Sequence, residues 1–248
     1  MIGQHKEVLV VLHGLMGMLD NWHGPAKDYA EHFSVYLVDA RNHGHSEHSP
    51  ELSYELMMED LHEFLEDHGL EEINLLGHSM GGKTVMKFAQ NYSEYVKKLI
   101  VADIAPKAYP VHHQTILKAL RSVDFSKVDR RSEIDEQLKV YIPQWGVRQF
   151  LLKNIYWKEK GVLDYRFNLD AIENNIEKMG EEIADQIFRG PTLFIRGSES
   201  DYIQDDDWAE IKLAFPDSKL ETIQGAGHWL HADKPEEFNK LVIDFLKN

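Results

Sequence analysis

Short aliphatic segments alternate with longer segments of helical periodicity along most of this chain of 248 residues. The aliphatic segments lack strict polar alternation, as strands covered on both faces do, and they lie at residues 7–12, 35–38, 73–76, 98–102, 192–196 and 219–223. Helices are predicted at 25–33, 54–68, 81–92, 207–215 and 235–247. This alternation predicts an α/β fold in which a mostly parallel sheet carries helices on both faces.

The alternation stops between residues 106 and 189, where the sequence indicates several helices and no convincing strand. We interpret this segment as an inserted helical cap, residues 106–189, on a core formed by residues 1–105 and 190–248. In an open parallel sheet, ligands bind where the carboxyl ends of the strands open into loops. Candidate functional residues are therefore sought directly after each predicted strand.

Charge and composition exclude several classes of function. The net charge of −15, from 42 acidic and 27 basic residues, disfavours nucleic acids and anionic membrane surfaces as partners because it repels phosphate groups. The chain has no cysteine, which excludes disulfides, thiolate metal sites and a cysteine nucleophile. The sequence shows no signal peptide and no membrane-spanning apolar segment, so we expect a cytoplasmic protein. We also expect a monomer or a homodimer.

A glycine-rich pentapeptide, Gly77-His78-Ser79-Met80-Gly81, lies between a predicted strand and a predicted helix. It matches G-x-S-x-G, the sharp turn that presents a nucleophilic serine in a strained backbone conformation. Neighbours two residues away must be small to avoid a steric clash. A glycine-rich turn without chemistry is the simpler alternative, but the strand and helix on either side favour Ser79 as a nucleophile.

A serine nucleophile needs a general base and donors for the oxyanion. His228 lies in a glycine-rich loop between the last strand and the last helix, which places it at the same end of the sheet as Ser79. For the nearby His231 we favour solvation or a backbone hydrogen bond. The oxyanion donors are expected to be the amides of Met80 and of Leu15, in the loop after the first strand.

The acid that orients the histidine is less certain from spacing. The usual position after the penultimate strand holds Ser200, and Asp201 is displaced from it by one residue. Asp103, at the end of the strand after the one bearing Ser79, is the preferred candidate, although a turn or cap aspartate is common before a proline. Asp201 remains the alternative, followed by Glu199.

The motifs together resemble the α/β-hydrolase superfamily, and within it a group of small esterases from bacteria and animals. The matching stretches are HGLMGMLDNW, VDARNHGHS, GHSMGGKTVM, ADIAP, GVRQFLLKN with YRFN, and GAGHWLHADKPEEF, which run from Leu12 to Phe238. The resemblance implies that Asp103 is the triad acid and that Ser200 accompanies it. The chain begins almost at the third strand of the family, so we expect the first edge strands to be shortened or missing.

The substrate pocket is expected near these residues, with His13, Gly14 and Trp229 among its walls. Most aromatic and aliphatic residues of the cap are better explained as the cap's own core at helical spacing. The histidine-containing loop at residues 39–46 has neither a cysteine nor an H-E-x-x-H spacing, so we expect no metal there and no cofactor. In similar hydrolases that loop is structural and is held by Arg41.

The sequence therefore predicts a serine carboxylesterase that hydrolyses short- to medium-chain acyl esters, and acyl-CoA thioesters are a further candidate substrate. A carbon–carbon bond hydrolase or a cofactor-free perhydrolase would use the same serine, histidine and acid, because fold and triad do not fix the bond that is cleaved. A non-catalytic ligand-binding relative is disfavoured, since such relatives are expected to lack one of the three residues.

Overall fold

The computed structural model describes residues 1–111, 113–183 and 186–248. Within them, the strands are β1 (Val8–Leu12), β2 (Ser34–Val38), β3 (Ile73–His78), β4 (Val96–Ala102), β5 (Ile155–Glu159), β6 (Val162–Tyr165), β7 (Thr192–Gly197) and β8 (Ser218–Ile223). The α-helices of the same residues are α1 (His23–Tyr29), α2 (Tyr54–His68), α3 (Met80–Asn91), α4 (Gln114–Arg121), α5 (Arg131–Lys139), α6 (Trp145–Leu152), α7 (Leu169–Asn174), α8 (Asp207–Ala214), α9 (Leu230–Asp233) and α10 (Pro235–Lys247).

Six strands form one sheet in the order β2-β1-β3-β4-β7-β8, and every neighbouring pair is parallel. Each of the six predicted strands overlaps one of these strands, and the predicted α/β fold is confirmed. Parallel strands must be joined by crossovers, and here the crossovers are the helices and the long segment between β4 and β7. The carboxyl ends of all six strands therefore lie along the same edge of the sheet.

Both faces of the inner strands β1, β3 and β7 are almost entirely buried, which explains why these strands show no polar alternation. Successive side chains of β1 enter different apolar clusters: Val10 joins the cluster that contains residues of α2 and α3, whereas Leu9 joins the cluster that contains residues of α1 and α10. Successive residues of a strand point to opposite faces. Each face thus packs against helices, as predicted.

A small antiparallel hairpin, β5 paired with β6, lies between α6 and α7. The prediction that residues 106–189 contain helices and no strand is wrong at this point. Gly161, with φ of 85°, supplies the left-handed residue in the turn that joins the two strands, a conformation that glycine adopts without a steric cost. A two-stranded hairpin needs few apolar positions, and charged residues lie between them in β5 and β6. The apolar pattern that predicts a strand is therefore weak here.

The two ends of the segment 106–189, here called the cap segment, lie side by side. The Tyr109 amide donates to the Gly180 carbonyl at 2.8 Å, and the Ile183 amide donates to the Pro106 carbonyl at 2.7 Å. The buried ammonium group of Lys83, on α3, donates to the carbonyls of Lys107, at 2.9 Å, and of Glu181. Burial lowers the pKa of Lys83 to about 8. Both ends of the cap segment are thus held by one core side chain, while its exact boundaries stay a prediction.

The edge of the sheet next to β2 carries one further contact. Ile2 forms an isolated antiparallel bridge with Val35, and their amide-to-carbonyl distances are 2.9 and 2.8 Å. The outermost strand of the sheet at this edge is β2. Across the described residues, no helix has both the length and the apolar character that a membrane span requires.

Candidate active site

Ser79 lies at the sharp turn between β3 and α3, in a backbone conformation that non-glycine residues rarely adopt. Its φ is 52° and its ψ is −116°. A Cβ atom on Gly77 would lie 2.2 Å from the Gly81 carbonyl oxygen, and one on Gly81 would lie 2.6 Å from the carbonyl oxygens of both Leu12 and His13. These distances are far below van der Waals contact with rigid backbone. The two glycines are therefore steric requirements of the turn, as the sequence motif indicates.

A continuous series of hydrogen bonds joins Ser79, His228 and Asp103. The Ser79 Oγ lies 3.0 Å from His228 Nε2, and His228 Nδ1 lies 2.7 Å from Asp103 Oδ2. A carboxylate can only accept, so Nδ1 of the ring is the donor toward Asp103. In the neutral ring Nε2 is then an acceptor, and it faces the serine hydroxyl. The structure thus brings together three residues that are 24 or more positions apart in the sequence.

Asp103 is fully buried and accepts three hydrogen bonds. Its Oδ1 accepts from the Gly197 amide at 3.1 Å, and its Oδ2 accepts from His228 and from the Ser200 hydroxyl. Three donors that converge on one carboxylate hold it in one orientation. Ser200 thus contacts the Asp103 carboxylate directly, whereas Asp201 is exposed at the rim of the adjoining cavity.

Two aromatic rings that the sequence analysis did not single out lie against His228. Tyr202 stacks on the imidazole with a centroid distance of 3.9 Å and an interplanar angle of 18°. Burial raises the pKa of the Tyr202 hydroxyl to about 12, so its ring stays neutral at physiological pH. His78 donates from Nε2 to the His228 carbonyl at 2.8 Å. The histidine is thus fixed both by its ring and by its backbone.

The loop after β1, which carries the expected oxyanion donor Leu15, is held by side chains from distant parts of the chain. The Met16 amide donates to His43 Nε2 at 3.1 Å, and the Met16 carbonyl accepts from Asn154 Nδ2 at 2.8 Å. The Leu19 amide donates to Asp39 at 2.7 Å. Because each contact fixes a backbone group, the loop is ordered before any substrate binds. Asn154 also couples this loop to the cap segment.

A cavity of about 720 Å³ opens beside Ser79 and His228. Gly14 and Trp229 line it, together with the cap residues Phe150 and Leu151. Trp229 contacts Phe150 with a ring-centroid distance of 5.5 Å. The cavity therefore lies between the core and the cap segment, and its volume is within the range of small-molecule sites.

Two histidines lie differently from the sequence-based expectation. His13 is not among the residues that line the 720 Å³ cavity. Its ring is 1% exposed and is held between the Gly14 carbonyl, at 2.8 Å, and the Ala40 amide, at 3.1 Å, and burial lowers its pKa to about 4. His231, for which solvation or a backbone hydrogen bond was favoured, is buried and stacks on Trp22 at a centroid distance of 4.4 Å. Both rings support the fold of the site.

The loop at residues 39–46 is tied to its surroundings by ion pairs and backbone contacts. Arg41 makes a two-pronged contact with Asp60 on α2, with both nitrogen–oxygen distances at 2.6 Å. Asp39 accepts from the His45 amide at 2.9 Å. In the part of the chain that the structure describes, no group of three or more potential ligands is arranged to hold a metal ion. The polar residues of this loop are occupied in holding it in place.

The fold and the hydrogen-bonded series of Ser79, His228 and Asp103 define an α/β-hydrolase. Comparisons with known proteins place the chain in the same family. The family model described as "alpha/beta hydrolase fold" matches residues 7–133. The sn-1-specific diacylglycerol lipase ABHD11 of Danio rerio is 39% identical over 248 residues, which cover 96% of this chain and 78% of the relative. Esterase YbfF of Escherichia coli (strain K12) is 33% identical over 247 residues, 99% of this chain and 95% of the relative.

A solved structure described as a marine microorganism esterase superposes with a TM-score of 0.96 at 47% identity, covering 98% of this chain and 97% of the other. The chain therefore belongs to the α/β-hydrolase family, in an esterase/lipase group that includes ABHD11 and YbfF. The family resemblance stated from the sequence motifs is confirmed.

Proposed function

We propose that this chain hydrolyses carboxylic esters through an acyl-enzyme intermediate on Ser79. The observation that carries the proposal is the hydrogen-bonded series from Ser79 through His228 to Asp103, with distances of 3.0 and 2.7 Å. Those distances suit proton transfer from the serine to the histidine without rearrangement. The series lies at the wall of a cavity large enough for a small-molecule substrate.

In the acylation step, Ser79 Oγ forms a bond to the ester carbonyl carbon while its proton passes to His228 Nε2. The resulting oxyanion accepts hydrogen bonds from the amides of Leu15 and Met80, and Asp103 stabilises the protonated imidazole. When the tetrahedral intermediate collapses, the bond to the alcohol oxygen breaks and His228 gives its proton to that oxygen. The alcohol leaves, and the acyl group stays on Ser79.

Deacylation repeats these steps with water as the nucleophile. His228 takes a proton from the water as its oxygen bonds to the acyl carbon, and then returns that proton to Ser79 Oγ as the carboxylic acid leaves. Ser200 acts through Asp103, because its hydroxyl donates to the same carboxylate oxygen as His228. It is a positioning residue, since it holds the carboxylate in its orientation.

We further propose short- to medium-chain acyl esters as substrates, with acyl-CoA thioesters as a related class. The cavity of about 720 Å³ has room for a bulky alcohol or thiol group. A cytoplasmic location and a monomeric or homodimeric state complete the proposal, and both are carried from the sequence. Neither nucleic acid nor a membrane is needed as a partner for this chemistry.

Replacement of Ser79 by alanine tests the proposal. With p-nitrophenyl acetate as substrate, we expect kcat to fall by about 10⁴-fold or more, and a fluorophosphonate probe should label the wild type and not Ser79→Ala. The matched control is Ser132→Ala, an exposed serine on α5, which should keep full activity and labelling. Undiminished hydrolysis by a folded Ser79→Ala protein would refute the proposal.

A further inference from the structure

Two cavities of very different size meet at Ser79. The large one, of about 720 Å³, extends between the core and the cap segment. The small one, of about 30 Å³, shares with it the lining residues Leu15, Ser79, Tyr109, Pro110, His113 and Tyr202. The small cavity continues away from these shared residues, between α3, the end of β4 and the far end of the cap segment. The serine hydroxyl thus lies between a wide space and a narrow one.

The position of His228 decides which part of an ester each cavity receives. Among the described residues, His228 lines the large cavity and is not among those that line the small one. As general acid, the histidine must reach the oxygen of the leaving alcohol. The alcohol therefore has to lie on the His228 side, in the large cavity. The acyl chain, on the opposite side of the carbonyl carbon, then points into the small cavity.

The walls of the small cavity are mostly apolar. Side chains that line it and not the large cavity include Met80, Ile104, Val111, Ile176 and Met179. Two of its three phenol groups are engaged elsewhere, because the Tyr54 hydroxyl donates to the Met179 carbonyl at 2.9 Å and the Tyr109 hydroxyl donates to the Tyr202 carbonyl. The wall therefore offers carbon atoms to a bound group, which suits an alkyl chain.

The small cavity is also limited in length and held in place. Its volume of about 30 Å³ is a small fraction of the 720 Å³ of the large cavity, so it has room for a short alkyl chain and not for a long one. Its far wall, Ile176 and Met179, belongs to buried parts of the cap segment. That wall is fixed to the core by the Tyr54 hydroxyl, which donates to the Met179 carbonyl, and by the ammonium of Lys83, which donates to the Glu181 carbonyl. A close-packed wall of this kind does not yield to extra methylenes without strain.

We propose that the small cavity is the acyl subsite, that it accepts acetyl and propionyl groups, and that Met179 and Ile176 set this limit. The proposed range of short- to medium-chain esters then narrows to short acyl esters of bulky alcohols or thiols. This proposal rests on the proposed function, since it uses His228 as the general acid for the leaving group. It adds which side of the site measures the acyl chain and which residues do so.

An acyl-length series with a constant leaving group tests the proposal. We expect kcat/KM of the wild type to be highest for p-nitrophenyl acetate and propionate and to fall at least tenfold at the hexanoate. Met179→Ala removes the end wall and should raise the hexanoate-to-acetate ratio of kcat/KM at least tenfold. Ile176→Val is a milder variant that should move the ratio in the same direction toward butyrate, and it serves if Met179→Ala does not fold.

Ile116 is the matched control, because it lines the large cavity and not the small one. Ile116→Ala should leave the hexanoate-to-acetate ratio unchanged while it alters the preference among acetates of different alcohols. Equal hydrolysis of octanoate and acetate by the wild type would overturn the proposal, as would an acyl-length shift in Ile116→Ala with none in the Met179 and Ile176 variants. Activity that survives Ser79→Ala would instead refute the proposed function itself.

Discussion

Replacement of Asp103 by asparagine isolates the electrostatic part of the proposed triad. The substitution keeps the shape of the side chain but exchanges one accepting oxygen for an NH₂ group. In the wild type, three donors converge on this carboxylate, from Gly197, Ser200 and His228. An amide has one oxygen to offer them, so at least one donor must face another donor in a fully buried position.

Either orientation of the asparagine damages the site. With the NH₂ group at the Oδ2 position, 2.7 Å from His228 Nδ1, the ring must turn that nitrogen into an acceptor and carry its proton on Nε2. It can then no longer take the proton of Ser79. With the NH₂ group at the Oδ1 position, it faces the Gly197 amide, and the protonated imidazole loses its counter-charge. Both routes lower the rate of acylation.

We expect kcat to fall about 10³- to 10⁴-fold, which corresponds to about 4–5.5 kcal/mol at 1.36 kcal/mol per factor of ten. The assay is hydrolysis of p-nitrophenyl acetate, with the thermal midpoint measured to show that the variant is folded. The control is Asp201→Asn, at an exposed residue, which should stay within about threefold of the wild type. A large loss in Asp201→Asn together with near-normal Asp103→Asn would refute the reasoning.

Three further predictions concern the surroundings of the site. Tyr202→Leu removes the ring that stacks on His228 and should lower kcat about 2- to 30-fold with little change in KM, because an aromatic face over an imidazolium contributes about 0.5–2 kcal/mol. Tyr202→Phe keeps the ring and should retain activity. Equal losses of kcat in both variants would contradict this prediction. Burial lowers the pKa of His13 to about 4 and of His43 to about 3, whereas in the unfolded chain both histidines take up a proton below about pH 6.5. The free energy of unfolding should therefore fall by about 1.4 kcal/mol per pH unit per histidine as the pH drops from 6.5 to 4. Urea titrations at pH 7, 6 and 5 measure this fall, and an unchanged free energy of unfolding over that range would contradict the prediction. Lys83→Met leaves two carbonyls without their donor and should destabilise the protein by about 2–4 kcal/mol, measured by the same titration; an unchanged midpoint would show that the lysine does not hold the cap segment.

Local patterns in the sequence predicted most of the sheet and the central residues of the site. Ser79 was identified because the glycines of its turn leave a pattern within five residues, and those glycines do meet rigid backbone in the structure. His228 was identified from its loop after the last strand, since all strands of a parallel sheet end at one edge. In both cases the decisive signal lies close to the residue in the sequence.

Residues that act across long sequence separations escaped prediction. Asn154 holds the carbonyl of Met16, 138 positions earlier, and nothing near it in the sequence indicates that contact. Tyr202 follows Ser200 by two residues, so the sequence does indicate that it lies near Asp103. Nothing in the sequence indicates that its ring stacks on His228. The position of His13 in the loop after β1 predicts a place in the pocket wall. Its ring instead points toward the Ala40 amide, a partner from another loop that the local sequence does not indicate.

The adjacent crossings of the backbone at both ends of the cap segment have an evolutionary consequence. Because two hydrogen bonds, from Ile183 to Pro106 and from Tyr109 to Gly180, join the backbone near both ends of the cap segment, insertions and deletions between these contacts need not disturb the register of β4 and β7. Selection can therefore change the cap side of the cavity while the sheet is kept, provided that the contact of Asn154 with the loop after β1 is retained. Relatives that share the sheet would then differ in their substrates chiefly because their cap segments differ.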